Sequence, residues 1–539
     1  MRTSTLSILI STALSLSSTT AFSAVVSPDL KLAEEQHLVR GNGAEPNTLD
    51  PSFVNSGMPG DIIVNDMFEG LIIESGEGAL IPGQAAHWNI TNEGKTVTFT
   101  LRDNLTWSNG TPLLASDFVY AWQRGVNPKT GNNTGHYFIT ANILNANAIQ
   151  SGQLSPSKLG IKALNDKVIE VTLSKETPYF LSLMGLKNFY PLPQAVIEKH
   201  QENWTRPENI VTNGAYILQK WVPNELVDVV KNSAYWDNNN TIIEKVTYLG
   251  LSSQQAEYTR FQSGEIDITN RVQLEYYQKL KKDSPEQIKA QALLGSYVYS
   301  FNTKVAPFDN EKVRRALSMA VDRDILVDKI TGQGEPAAYS AVPTTIPNYH
   351  SSKLNFNEQS ISKRLATAKK LLEESGYNQD NPLAFTLTYN TSDNHKKIAI
   401  AIASMWKPLG VKVTLENMEW KSYVSAKNLG DYQLARSWAF GDYAEPSSIL
   451  EAFTCEHTAN ESGFCNSKFD QLMKSAGNTE DESQRYTIYQ QAEEILNDAS
   501  PMIPLYHYNH TRLVRSTLKG FPNNNPKGNI YAKDMFFTK

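Results

Sequence analysis

Residues 382 to 420 read PLAFTLTYNTSDNHKKIAIAIASMWKPLGVKVTLENMEW, and their hydrophobic period changes twice. PLAFTLTYN (382–390) places Leu383, Phe385, Leu387 and Tyr389 at alternate positions, the pattern of a strand. KKIAIAIASMW (396–406) reads as a helix, and VKVTLENMEW (411–420) alternates again as a second strand. Strand, helix and strand in this order form one α/β unit, because parallel strands need a crossover between them. The fold class is therefore α/β.

Outward from that unit the texture is the same. EQHLVR (35–40), KTVTFTLR (95–102) and KVIEVTL (167–173) read as short strands. NGAYIL (213–218) and ELVDVVKN (225–232) read as a strand pair with VPN in the turn. A helix is expected in DFVYAWQR, capped by Ser116 and stopped at Gly125. Others are expected in SQQAEYTRFQSG, ending at Gly264, and in SKRLATAKKLLEESG, ending at Gly376. Along 311–330, Val313, Ala316, Leu317, Ala320 and Val321 form one helical stripe. ESQRYTIYQQAEEILNDA reads as a helix before Pro501, and MIPLYHYNHTRLV as a strand after it. No repeat, charge block or long linker divides the chain, so domains built from discontinuous segments are expected.

The chain has 539 residues, enough for roughly three domains or subdomains. It is 40% hydrophobic and 20% charged, as soluble globular proteins are. Its 24 Tyr, 20 Phe and 9 Trp are enough to line a cleft with rings. Met1-Arg2, the apolar run Leu6 to Leu16 and the small residues Ala21, Ser23 and Ala24 read as a secretory leader over 1–24. The first cysteine is Cys455, so no lipid-anchoring cysteine stands at the cleavage site. An exported protein free in a periplasm is the simplest reading. Loss of the leader removes one cation and no acid, moving the net charge from -6 to -7 and arguing against a nucleic-acid partner. In an oxidising compartment Cys455 and Cys465 read first as a disulfide. The alternative is a metal clip that adds His457, which leaves a zinc site one ligand short.

Six stretches carry a resemblance. They are LRDNLTWSNGTPLLASDFVYAWQR (101–124), NIVTNGAYIL (209–218), SGEIDITN (263–270), FNTKVAPFDNEKVRRALSMAVDR (301–323), YNTSDNHKKIAIAIASMWK (389–407) and ARSWAFGDYAEPSS (435–448). Together, and in this order, they resemble the solute-binding proteins of peptide ABC importers, especially the oligopeptide-binding type and its murein-tripeptide-binding relatives. The resemblance implies the periplasmic-binding-protein fold, two hinged lobes with an extra inserted domain. It places one lobe at 25–68, 193–294 and 511–539, the extra domain at 69–192, and the second lobe at 295–510. It also implies short peptides and membrane permease subunits as partners, a monomer, no cofactor and no catalysis.

Within SWAFGDYAEPSS (437–448) one acid, Asp442, stands among rings, and no His, Ser or Cys is placed as a catalytic partner. A lone acid is a poor catalyst and a good counter-ion. The resemblance makes Asp442 the anchor for a ligand's α-ammonium. It makes Arg436, Lys427 and His395 candidates for the carboxylate end; Lys427 stands where Arg is usual, and so offers a point charge without the guanidinium fork. Trp420, Asn390, Tyr137 and Trp438 are candidate cleft residues, with core packing the alternative for each ring. Trp438 sits one position from its usual place relative to the acid, with Phe440 between them. Arg436 and Asp442 are at most ~20 Å apart along a strand, and a peptide of about three to five residues spans ~10–17 Å. Murein peptide, dipeptide, haem or a peptide-like metal chelate are the rival cargoes.

KTG (129–131), SPSK (155–158) and SDN (392–394) match the signature pieces of penicillin-binding serine enzymes. Their order is wrong, and KTG lies in the turn-like NPKTGNN. His507 and His510 lie three apart on the expected final strand, facing opposite sides, a poor metal pair.

Overall fold

The computed structural model describes residue 24 and residues 26 to 539, apart from 55–57, 133, 252, 458, 459 and 524. The leader read at 1–24 lies outside the described residues except for Ala24.

The α/β unit forms as its pattern implies. Ala384–Asn390 and Lys412–Met418 are parallel neighbours joined by the helix Asp393–Trp406. The buried residues of that helix, Ile398, Ala399, Ile402 and Trp406, share a core cluster with Phe385 and Leu387 of the strand. Trp420 departs from the reading. It opens the next helix, Trp420–Leu429, rather than closing the strand.

The unit forms one edge of a five-stranded sheet. The order is Lys412–Met418, Ala384–Asn390, Leu434–Phe440, Ile288–Phe301, Met502–Leu513. The first three strands are parallel, and Ile288–Phe301 runs antiparallel to both neighbours. Alternation sends Tyr297, Tyr299 and Phe301 into one core cluster and Leu294 and Val298 into another.

Two four-stranded sheets make the other half. One has the order His37–Gly41, Lys245–Leu249, Leu226–Lys231, Tyr216–Val222. The other is antiparallel, in the order Ala85–Thr91, Thr96–Leu101, Val168–Thr172, Ile161–Asn165. A single hydrophobic cluster joins them, drawing Leu38, Tyr216 and Val246 from one and Val97, Phe99 and Val171 from the other.

Two expected helices differ from their reading. The helix expected in DFVYAWQR spans Ala115–Val126. Ser116 is not its cap; instead Asp117 Oδ2 reaches back to accept the Leu114 N–H at 2.9 Å. Gly125 does not stop it. The Phe138 ring lies 2.8 Å from where a Gly125 Cβ would be, so the glycine is there for close packing. The chain leaves the helix at Asn127, held extended by Pro128. The stripe at 311–330 breaks into Glu311–Met319, Arg323–Ile325 and a π-helical turn, Leu326–Thr331. Asp322 accepts the Ile325 N–H at 3.1 Å and starts the second segment afresh.

The chain crosses between the halves near residues 268–288 and 511–515, and the crossings lie side by side. Ile268 bridges Val514, Leu513 N–H donates to Thr269 Oγ1 at 2.8 Å, and Arg515 N–H donates to the Asp267 carbonyl at 3.0 Å. A third contact comes from the loop after Leu434–Phe440. Tyr443 enters the large cluster of the other half and stacks on Tyr179 with centroids 5.0 Å apart.

Candidate functional site

The site is built around the Leu434–Phe440 strand. Its side chains alternate, so Arg436, Trp438 and Phe440 share one face. They pair across the sheet with Tyr299, Tyr297 and Gly295. The Phe440 ring occupies the space a Gly295 side chain would need, and stacks on Tyr508 at 4.8 Å. Phe440 and Trp438 are therefore neighbours on one face of the strand.

Arg436 is 9% exposed. It donates to Tyr508 OH at 3.0 Å, and its guanidinium lies 5.0 Å from the Tyr297 ring and 4.9 Å from Trp438. Aromatic faces hold the cation, yet its Nε has no partner among the described residues. Lys427 is placed differently. Its ammonium is 4.5 Å from the same Trp438 ring, but Glu461 takes it at 2.8 Å and Ser437 Oγ at 2.9 Å. Burial pulls its pKa down, and Glu461 opposes that shift. The charge of Lys427 is thus largely answered within the protein, whereas that of Arg436 is not.

His395 lies in the first turn of Asp393–Trp406, and its Nδ1 shares a hydrogen bond with Tyr297 OH at 3.1 Å. Burial, then the Arg436 charge, push its pKa down to about 4. At neutral pH it can offer hydrogen bonds but no positive charge. Asn390 ends the preceding strand, and its buried Oδ1 has no partner among the described residues. Trp420 and Trp438 stack at 5.8 Å and are 47% and 37% exposed; Phe440 is 45% exposed. Those exposures decide against core packing for these three rings.

Asp442 follows the strand in a tight loop, where its N–H donates to Ser448 Oγ at 2.7 Å. Burial raises the pKa of its carboxyl, offset by the charges of His136 and Lys527 and by a hydrogen bond from Tyr137. Tyr137 is buried in the short helix His136–Thr140, in the other half of the molecule. Asp442 thus sits where three distant parts of the chain converge. A cavity of about 400 Å³ lies beside it, lined among others by Trp438, Phe440, Phe453, Glu461 and Met502. A larger cavity of about 750 Å³ surrounds Arg124 and Trp204, but its Arg124 is already paired with Asp50 at 2.7 Å.

Sequence reasoning missed Tyr297, Tyr508 and Glu461. The tyrosines alternate in SYVYSF and LYHYNH, which marks them as strand residues but does not say whose cation they face. Glu461 lies inside the loop closed by Cys455 and Cys465, whose sulfurs are bonded to each other at 2.09 Å. With both thiols used, the metal-clip alternative is overturned. The penicillin-binding fragments have structural roles instead. KTG forms the end of a 3-10 turn, Pro128–Thr130, with Gly131 as its C-cap; Ser155 Oγ bonds Ser157 Oγ, and Ser392 caps the helix carrying His395. His507 bonds Ser296 while His510 bonds Asn270, on opposite sides of their strand.

The family described as bacterial extracellular solute-binding proteins, family 5 middle, matches residues 79–461. The chain belongs to this family. Among its curated members, the periplasmic oligopeptide-binding protein OppA of Salmonella typhimurium is 42% identical over 521 residues, 96% of each chain. The periplasmic murein peptide-binding protein MppA of Escherichia coli is 41% identical over 520 residues, again 96% of each. A solved structure of MppA in its unliganded open form superposes with a TM-score of 0.85 at 41% identity, covering 95% of this chain and 99% of that one. The α/β periplasmic-binding-protein fold implied by the sequence is the fold of this chain.

Proposed function

We propose that this chain is an extracytoplasmic receptor that captures peptides of about three to five residues between two closing lobes. It delivers them to the permease subunits of an inner-membrane ABC importer and does no chemistry on them. The lobes are 25–68 with 193–294 and 511–539, and 295–510; the inserted domain is 69–192. The protein acts as a periplasmic monomer after loss of its leader. The observation that carries this reading is the placement of Arg436 on one strand and of Asp442 in the loop that follows it. Asp442 is a half-buried acid with no full ionic partner from its own lobe among the described residues, Arg436 a buried cation held by aromatic rings and the Tyr508 hydroxyl, and exposed Trp438 and Phe440 lie along the same strand. A peptide carries the two complementary charges at its ends, and its backbone is common to all sequences.

A murein tripeptide is the second reading, favoured by the likeness to unliganded MppA. Mass spectrometry of the small molecules that co-purify tests both. Linear α-linked peptides of mixed sequence are expected. A γ-linked D-residue in every ligand would select the second reading, and a non-peptide cargo would refute both.

A further inference from the structure

A separate charged cavity is left unused by the peptide reading. It holds about 250 Å³ and is lined by Arg40, Asp61, Arg271, His510, Arg512 and Lys527, among others. Arg40 comes from the edge strand His37–Gly41, His510 and Arg512 from the end of Met502–Leu513, and Arg271 from a crossing segment. The fold therefore brings three guanidinium groups from separate parts of the sequence to one hollow.

The charges of Arg40 and Arg512 are poorly answered within the protein. Arg40 and Arg512 are each 1% exposed. Arg512 donates to Gln291 Oε1 at 2.8 Å and to His510 Nδ1 at 2.9 Å, both neutral partners. Arg512 Nε and Arg40 Nε and Nη1 have no partner among the described residues. Asp66 and Glu257 act on Arg40 only at longer range, and their oxygens are engaged elsewhere. Asp66 accepts from Tyr248 OH and the Ala532 N–H, and Glu257 from the N–H groups of Asn270 and Arg271. Asp61 is tied to Lys187, and Lys527 to Glu74 at 2.6 Å. Buried guanidinium groups left in this state are costly unless an anion answers them. Two lining residues also lie within electrostatic reach of the Asp442 region: the Lys527 charge acts on Asp442, and that of Asp61 on Tyr137.

We propose that this cavity is an oxyanion subsite, taking a carboxylate or phosphate group through Arg40, Arg271 and Arg512. On the peptide reading, on which this source of the anion rests, the group is an acidic side chain in the first two residues of a peptide held at Asp442. The alternative source is a free anion.

Calorimetry on ligand-stripped protein separates these cases. The probes are Ala-Ala-Ala, Glu-Ala-Ala, Ala-Glu-Ala, the two Gln counterparts and inorganic phosphate. The proteins are the wild type, Arg512→Gln and Arg271→Gln; Arg271 is exposed, so its replacement does not endanger folding. One acidic peptide should bind about tenfold or more tightly than its Gln counterpart, the worth of one charge-assisted bond. In Arg271→Gln that ratio should fall below about threefold. Phosphate binding lost in Arg271→Gln, with Glu and Gln peptides equal, would assign the subsite to a free anion. If Ala-Ala-Ala binds while Glu and Gln peptides are equal and phosphate is not bound, the subsite is refuted and the peptide reading stands. If phosphate binds and no peptide does, the subsite stands and the peptide reading falls. If nothing binds, both fall.

Discussion

Asp442 and Arg436 are the two side chains proposed to hold the ends of a peptide. Replacing Asp442 with Asn keeps the loop's Ser448 hydrogen bond to the backbone N–H and removes the charge. Affinity for peptides with a free amino terminus should fall ~10- to 100-fold, the worth of a charge-assisted bond, with the melting temperature unchanged. The pH dependence follows from the raised pKa of Asp442. A proton on the carboxyl competes with the ammonium, so affinity falls as pH drops through that raised value. It falls again above about pH 8, where the peptide's own amine loses its proton. Titration across this range should give a bell; a flat profile would contradict the pairing. Arg436→Gln should weaken binding of free peptides but not of their C-terminal amides, and equal losses would remove the proposed role. Asp442 and Arg436 could be named together because one short stretch carries both. The capture of Lys427 by Glu461 was not, because it joins residues 34 positions apart through a loop whose closure decides it.

Single elements carry two further predictions. Cys455–Cys465 closes a short loop that contains Glu461. Replacing both cysteines with serine should lower the unfolding free energy by ~3 kcal/mol on loop-entropy grounds. It should also loosen Glu461 and so change peptide affinity through Lys427; denaturant unfolding and calorimetry read the two effects separately. In the Met502–Leu513 strand, burial holds the pKa of His507 down to about 4. Unfolded, it would titrate near ~6.5. The folded state resists the proton, so this contribution is full above ~6.5 and is lost as pH falls toward 4, on the order of 3 kcal/mol. In His507→Asn the slope of stability against pH in that window should be shallower. An unchanged slope would mean the imidazole protonates in place.

Elements with local signals were the legible ones. Ser253, Ser360 and Asp481 cap their helices, and Gly264 and Gly376 take the left-handed conformation that ends one. Gly125 misled because its reason is the Phe138 ring, thirteen residues on, and Ser116 because its neighbour Asp117 serves the helix start instead.

At the scale of the whole molecule, the order of strands within each sheet could not be read. Pairs such as Ile288–Phe301 with Met502–Leu513 join segments some two hundred residues apart, and no local period reports them. The same long pairing matters for function. The two crossing segments are bonded side by side, and on the proposed reading they are the line about which the halves would close. The site draws Arg436 and Asp442 from one half and Tyr137 and Lys527 from the other. Peptide binding should therefore make the molecule more compact. Solution X-ray scattering should show a smaller radius of gyration with tri-alanine than without, and no change would argue against closure.

The central claim is that the protein holds a peptide by its free ammonium at Asp442. Calorimetry of ligand-stripped wild type and Asp442→Asn, each with tri-alanine and N-acetyl-tri-alanine, tests it most directly. The wild type should show one site, with tri-alanine favoured over the acetylated peptide by ~10- to 100-fold, and that preference should be lost in the variant. Equal affinity of the two peptides for the wild type would contradict it.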